Sequence, residues 1–407
     1  MEKLAKQLTV KYAFLQGTFW MSECSICSFA AVYLKSREFT NVQIGLVLAL
    51  ASILSILLQP LIASFADKSK KISLRSIVIL IMIITMALGI TLWVLPNSFY
   101  LVASSYVLIN SLQYTLSPLF NSLAIEYINK GVPLNYGLAR GLGSISFAVI
   151  SSVLGVLVNR FGPNILLNIF LINYIFVIIS AYSFKAELPQ TAESKAFHSN
   201  TEEDRTAPIG IFQFFIKYKK YMLQLVGIAM LFYSSSLINT YLINIVENVG
   251  GNSTNMGISL SIAASLELPT MAAFIFLVKK IKCSTLVKIS AFFFLIKVLL
   301  TWLAPNVPTV YIAMAFQMIS FALFTPASVY YVNAVIGGKD KVKGQAMLGV
   351  ASSGISGTAA SITGGKLLDT VGVADMLLVG SIVTGIGLII IFLTTENTGK
   401  FNLNDIR

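Results

Sequence analysis

Ser117-Pro118-Leu-Phe-Asn121-Ser-Leu-Ala-Ile-Glu126 sits in an apolar run, and a short polar break follows it. Tyr136-Gly137-Leu-Ala-Arg140 then opens the next apolar run, which closes on Gly155-Val-Leu-Val-Asn-Arg-Phe-Gly162. The same order returns as Thr325-Pro326, Lys343-Gly344-Gln345-Ala346 and Gly365-Lys-Leu-Leu-Asp-Thr-Val-Gly372. Pro118 and Pro326 are 208 residues apart, Gly137 and Gly344 are 207, and Gly162 and Gly372 are 210. Outside this stretch, Trp93-Val-Leu-Pro96-Asn97 recurs as Trp302-Leu-Ala-Pro305-Asn306, and Gly45 matches Gly257. One unit is therefore present twice. Of the two copies, only the first carries an arginine, Arg140, at the start of its apolar helix. A duplicated apolar unit whose symmetry is broken by charge is the pattern of a membrane transporter.

The composition agrees. Of 407 residues, 56% are hydrophobic and 11% charged, too few polar side chains to cover a water-soluble fold of this length. Apolar runs long enough to cross a bilayer follow one another, at about 11–34, 42–66, 73–95, 99–126, 137–159, 164–184, 221–246, 255–278, 285–304, 308–336, 344–366 and 373–395. The sequence thus predicts an all-α integral membrane protein with twelve transmembrane helices in two pseudo-symmetric six-helix bundles. The bundles are residues 1–184 and 221–407. Between them lies a polar stretch, 185–220, too hydrophilic to bury a core. Its end, Ile209 to Tyr221, turns amphipathic and basic and is expected along the membrane surface.

The net charge of +12 does not indicate nucleic acid. The basic residues gather in alternate loops: Lys3, Lys6 and Lys11; Lys68, Lys70, Lys71 and Arg75; Lys217, Lys219 and Lys220; Lys279, Lys280 and Lys282; Lys339, Lys341 and Lys343. Positive-inside topology explains them, and with an even span count it places both termini in the cytoplasm of a multi-pass cell-membrane protein. No cleavage site follows the first apolar run, so that run is expected to stay as a span. Cys24 and Cys27 read as small packing residues of an apolar helix, and His198, the only histidine, as a solvated linker residue. No metal constellation and no nucleophile–base pair can be assembled, so neither a cofactor nor an enzymatic activity is expected.

Ionisable groups inside a bilayer cost about 2.5–3.5 kcal/mol each on insertion scales and mark function by default. Glu23 lies mid-way in span one, with Gln16, Trp20 and Cys27 on its face. Glu267 lies mid-way in span eight and Lys297 in span nine. Glu126 and Arg140 flank the turn between spans four and five, where they are placed to pair. Polar faces run through Gln113, Ser117 and Asn121 in span four, through Tyr233, Ser236, Thr240 and Asn244 in span seven, and through Gln317, Phe321, Thr325 and Ser328 in span ten. Collected round one axis they would rim a wet cavity suited to a hydroxyl-rich ring compound. The substrate-binding candidates are Glu23, Asn121, Arg140, Tyr233, Asn239, Glu267 and Gln317. The proton-coupling candidates are Glu267 and Glu23, because a carboxyl in a partly apolar cavity gains proton affinity. Ion-pair or gating candidates are Glu126, Arg140, Lys297, Asp67 and Lys68.

On these residues the sequence resembles the major facilitator superfamily. Ala63-Ser-Phe-Ala-Asp67-Lys68-Ser-Lys-Lys71 is similar to that superfamily's signature after span two, with Ala63 in place of its leading glycine. Within the superfamily it is most similar to the lactose permease branch of oligosaccharide and nucleoside proton symporters. The resemblance sets Arg140 at that branch's sugar-binding arginine, Glu267 at its span-eight coupling carboxylate and Lys297 at its span-nine basic residue. Span seven has no aspartate, and span ten lacks the histidine and glutamate of lactose permease. Proton transfer would then fall to Glu267 or Glu23. What the resemblance implies is a monomeric, proton-driven importer of a small polar metabolite such as a sugar or nucleoside. Substrate would bind at the midplane between the halves, and access would alternate. The competing expectations are a proton-driven drug or metabolite efflux antiporter, which would expel substrate from energised cells, and a membrane sensor that binds without flux.

Overall fold

A computed structural model of the protein describes residues 2–68, 72–95, 98–185 and 210–398, and every described element is helical. The chain divides into two compact units, Met1–Asn200 and Thr201–Arg407, and the division falls inside the polar stretch 185–220. His198 and the Pro96-Asn97 turn lie outside the described residues, as do the side chains of Asp67 and Lys68.

The first unit contains α1 (Glu2–Glu23), a π turn (Cys24–Ser28), α2 (Ala30–Lys35), α3 (Asn41–Lys68), α4 (Leu74–Val94), α5 (Phe99–Asn129), α6 (Tyr136–Phe161) and α7 (Ile165–Ser183). The second contains α8 (Ile211–Lys217), α9 (Lys219–Thr240), α10 (Leu242–Asn248), α11 (Ser253–Lys280), α12 (Cys283–Trp302) and α13 (Val307–Ala315). It continues with α14 (Phe321–Val335), α15 (Lys341–Gly349), a π turn (Val350–Ile355), α16 (Ser356–Thr370) and α17 (Gly372–Thr394).

Among the described residues, nine helical stretches are long and apolar enough to cross a membrane. Three further stretches, Glu2–Lys35, Phe99–Asn129 and Lys341–Thr370, are long but either interrupted by a π turn or rich in polar side chains. They are the expected first, fourth and eleventh spans, and the first and fourth carry Glu23, Gln113 and Asn121. Hydropathy falls where buried polar groups are concentrated: Gln16, Ser22, Ser25, Asn110, Ser111 and Gln113 are all at most 2% exposed.

The helix contacts repeat with the sequence. In the first unit α1 packs on α6 and α7, α3 on α5, and α4 on α5 and α7. In the second, α9 packs on α16 and α17, α11 on α13 and α14, and α12 on α14 and α17. Each pairing in one unit has its counterpart in the other. The landmarks that revealed the duplication have matching geometry. Pro118 lies inside α5 and Pro326 inside α14. Gly162 and Gly372, which end the quoted runs, both turn the chain in the left-handed region, at φ 82° and 84°, where a side chain would clash with the backbone. Asn306 caps α13 by accepting a hydrogen bond from the Thr309 amide at 3.1 Å, the role expected of asparagine at a helix start.

Leucines and isoleucines such as Leu57, Leu61, Leu80 and Ile83 face outward on α3 and α4. A water-soluble protein buries such groups, and a bilayer stabilises them where they are. The α8 segment is amphipathic as expected, with Phe214 buried and Phe212 and Ile216 exposed. It is tied down at its C-terminal end, where Lys217 Nζ and the Tyr218 hydroxyl both donate to Asp340 Oδ2 at 3.3 Å. Hydrogen bonds to Tyr218 and Asp340 hold the Lys217 amine above the ordinary lysine value.

Candidate functional site

Two polar assemblies stand out, one in each unit. The first is built on α1, where Tyr12, Gln16 and Trp20 recur every four residues and so share one face. An indole N–H can only donate, so Trp20 Nε1, at 3.0 Å, fixes Gln16 Oε1 as its acceptor. That leaves the Gln16 amide nitrogen to donate to the Tyr12 hydroxyl at 2.7 Å. Tyr12 in turn donates to Asn121 Oδ1 on α5 at 3.3 Å. The row ends in two aromatic contacts from α6: Tyr136 stacks on Tyr12 with centroids 5.8 Å apart, and the Arg140 guanidinium lies 4.4 Å from the Trp20 ring centroid. Cation over indole is the strongest pairing of its type, about 0.5–2 kcal/mol.

Gly143, one turn beyond Arg140, makes room for that indole. A Cβ there would stand 2.6 Å from Trp20 Cδ1. We expect Gly143→Ala to displace Trp20 and destabilise the protein by about 1–3 kcal/mol. A lowered melting temperature together with shifted indole emission checks this; wild-type values of both would show that the ring is not confined.

Glu23 follows on the same helix and ends its regular part. The π turn begins at the next residue, shown by the Phe29 amide bonding back five residues to the Cys24 carbonyl at 3.2 Å. Five-residue spacing brings Ser28 to Glu23, whose Oε2 accepts from the serine hydroxyl at 3.5 Å. Nothing in the sequence pattern announces this turn, and Ser28 was not among the expected residues. Glu23 is half-buried and makes no ion pair among the described residues, while the charge of Arg140 acts on it through space. π turns of this kind recur at functional positions.

The second assembly joins three elements of the second unit. Lys297 on α12 is 1% exposed, and its ammonium donates to Gln317 Oε1 at 2.6 Å. Gln317 Nε2 donates onward to Glu267 Oε1 on α11 at 3.0 Å. The amide therefore links a cation to a carboxylate. Leaving a buried ammonium without such a partner would cost several kcal/mol. Gln317 reaches both because the chain tightens into a three-residue 3-10 turn, Phe316–Met318, before α14 begins. That turn also breaks the expected face: Gln317 is out of helical register with Phe321, Thr325 and Ser328.

The remaining expected residues are placed differently. Glu126 forms its ion pair with Lys130, the residue that caps its helix, at 2.7 Å, and the Arg140 guanidinium lies over Trp20. The i, i+4 spacing makes Lys130 the nearer partner. Tyr233 shares a hydrogen bond of 2.7 Å with Thr363 of α16. Asn239 is exposed near the end of α9, and the helix is interrupted at Tyr241, which separates Asn244 from the Tyr233 face. Among the described residues no cluster of histidine, cysteine, aspartate or glutamate could hold a metal ion.

An all-helical, repeat-built protein with ionisable groups in its membrane-length helices has the build of the transporter families, a non-catalytic class. The chain belongs to the MFS_1 like family, a family of major facilitator transporters, whose pattern it matches over residues 15–379. It is similar to the uncharacterized transporter YwbF of Bacillus subtilis (strain 168), 24% identical over 96% of this chain and 95% of that protein. It is also similar to the maltose permease of Geobacillus stearothermophilus, 24% identical over 90% of this chain and 89% of that one. Among solved structures it shares the fold of the nucleoside transporter NupG. A single-substitution mutant of NupG superposes with a TM-score of 0.75 at 17% identity, covering 95% of this chain and 98% of that one. A bacterial homolog of the human lysosomal transporter Spinster follows at a TM-score of 0.66 and 12% identity, covering 96% and 97%.

Proposed function

We propose that this protein is a proton-coupled symporter that imports a small polar metabolite, a sugar or nucleoside, by alternating access. It belongs with the oligosaccharide and nucleoside proton symporters of its superfamily. The observation that carries the reading is the Glu267–Gln317–Lys297 linkage. A lone structural carboxylate would be costly in an apolar helix. Here it is held ready by an amide and a buried cation, an arrangement that gaining or losing one proton would reset. Glu23, with one weak hydrogen bond and no ion pair, is the second proton carrier. Trp20 and Arg140 supply the flat aromatic face and the forked cation that a sugar ring or nucleobase would stack on and bond to. Tyr233 and Asn121 add hydroxyl and amide partners. The maltose and nucleoside transporters among its relatives favour the same substrate classes.

We further propose that the three interrupted or polar helical stretches complete twelve spans, six in each half, with both termini cytoplasmic and the protein working as a monomer in the cell membrane. The proton gradient is its energy source and no cofactor takes part.

The test is uptake by proteoliposomes of the purified protein under an imposed inward proton gradient. Uridine, thymidine, adenosine, maltose and lactose form the panel. At least one should accumulate above its external concentration and be released by a protonophore. Accumulation only under the reversed gradient would identify an efflux antiporter, and binding without flux under any gradient would identify a sensor; either outcome removes this proposal.

A further inference from the structure

A second polar cluster of the first unit, away from the assemblies above, joins the end of α2, the following turn, α5 and the α6–α7 turn. Tyr33 on α2 and Tyr106 on α5 are 1% and 0% exposed, and their rings stack with centroids 5.4 Å apart. Four residues beyond Tyr33, the Arg37 guanidinium covers the Tyr33 ring at 5.1 Å and donates through one terminal nitrogen to Asn164 Oδ1 at 2.7 Å. The turn that carries it is strained, because Glu38 is the one described non-glycine residue in the left-handed region, at φ 63°.

Three donors of this cluster are unused. The Tyr33 hydroxyl, the Tyr106 hydroxyl and Arg37 Nε are all buried and have no hydrogen-bond partner. Buried polar groups are ordinarily satisfied, and each one left bare costs about 1–3 kcal/mol. The groups are also neighbours: Tyr33 lies within the field of Arg37, and Tyr106 within the fields of Tyr33 and Arg37. Charge completes the picture. Among the described residues Arg37 makes no ion pair with a carboxylate.

We propose that Tyr33, Tyr106 and Arg37 form a binding site for a small monovalent anion of chloride size. Arg37 Nε can only donate, and each phenol hydroxyl can donate as well. A water could accept from Arg37 Nε and donate to or accept from the phenols, but it brings no charge to offset the guanidinium. A halide accepts from all three and neutralises the guanidinium in a site closed by stacked rings. The cluster is separate from the proposed transport residues and does not depend on the substrate reading.

The experiment is thermal unfolding of the purified full-length protein as sodium chloride replaces sodium gluconate at constant sodium concentration. Chloride should raise the melting temperature saturably, by roughly 2–4 °C, through binding to the folded state, and bromide should do the same. Tyr33→Phe with Tyr106→Phe keeps both rings and removes both hydroxyls, and Arg37→Gln keeps an amide donor for Asn164 and removes the charge. Each variant should lose the chloride response. An equal response in gluconate and chloride would mean that water alone occupies the cluster, and the proposal fails. It fails too if the phenylalanine pair responds as the wild type does. Should Arg37→Gln not fold, the phenylalanine pair decides alone.

Discussion

Glu267→Gln is expected to abolish uphill accumulation: the internal-to-external substrate ratio should fall to one, while exchange of labelled for unlabelled substrate across the membrane should persist. The substitution keeps the side chain's length, and an amide oxygen remains for Gln317 Nε2, which now donates at 3.0 Å to the carboxylate. What would be lost is the ability to release a proton, so on the proposed mechanism substrate would still cross but nothing would drive it. The ratio is read in proteoliposomes with whichever panel compound the wild type concentrates. If the variant still concentrates it, Glu267 does not carry the coupling. Truncation should behave differently. Glu267→Ala removes the negative charge opposite Lys297, which is 1% exposed, and stranding a buried charge costs about 3–5 kcal/mol. Adding Lys297→Met to Glu267→Ala should return most of that stability, as expected for two coupled sites. A double variant as unstable as the single one would show that the two groups do not compensate each other.

Arg140→Lys is expected to weaken substrate binding at least tenfold, or about 1.4 kcal/mol. Lysine preserves the charge but loses two things. A guanidinium is planar and stacks flat on an indole, as Arg140 does at 4.4 Å from the Trp20 centroid, and its fork can grip two oxygens at once. An ammonium is a hydrated point charge on a flexible stem. Trp20 would lose its partner, and with it the hold on the Gln16–Tyr12–Asn121 row. Titration of the purified variant with the transported compound measures the change. Wild-type affinity would remove Arg140 from recognition and leave it a structural stacking partner.

Much of the fold was legible in the sequence because membrane physics writes it there. Apolar length marked most of the spans, and near-constant offsets between Pro118 and Pro326 or Gly162 and Gly372 marked the duplication. The candidate site was legible in part. Glu23, Glu267 and Lys297 stood out because charge is rare in apolar helices. Their surroundings did not, since those depend on backbone irregularities and long-range contacts. The π turn that hands Ser28 to Glu23 has no periodic signal. The 3-10 turn at Phe316–Met318 took Gln317 off the face it was assigned to and set it between two charges. Trp20 and Arg140 are 120 residues apart and meet only because α1 packs on α6. Local spacing did hold a clue for Glu126: Lys130 stands one turn further on, at the cap of its helix.

The glutamine between Lys297 and Glu267 has one more consequence. Its nitrogen faces the carboxylate and its oxygen faces the ammonium, and an amide in that orientation has no spare lone pair on nitrogen with which to take a proton and hand it on. The carboxylate and the ammonium therefore cannot trade hydrogen through this amide. On the proposed coupling, Gln317 would act as an insulator in the wiring, the proton would reach Glu267 by a path that does not run through this amide, and Lys297 would not short-circuit the cycle.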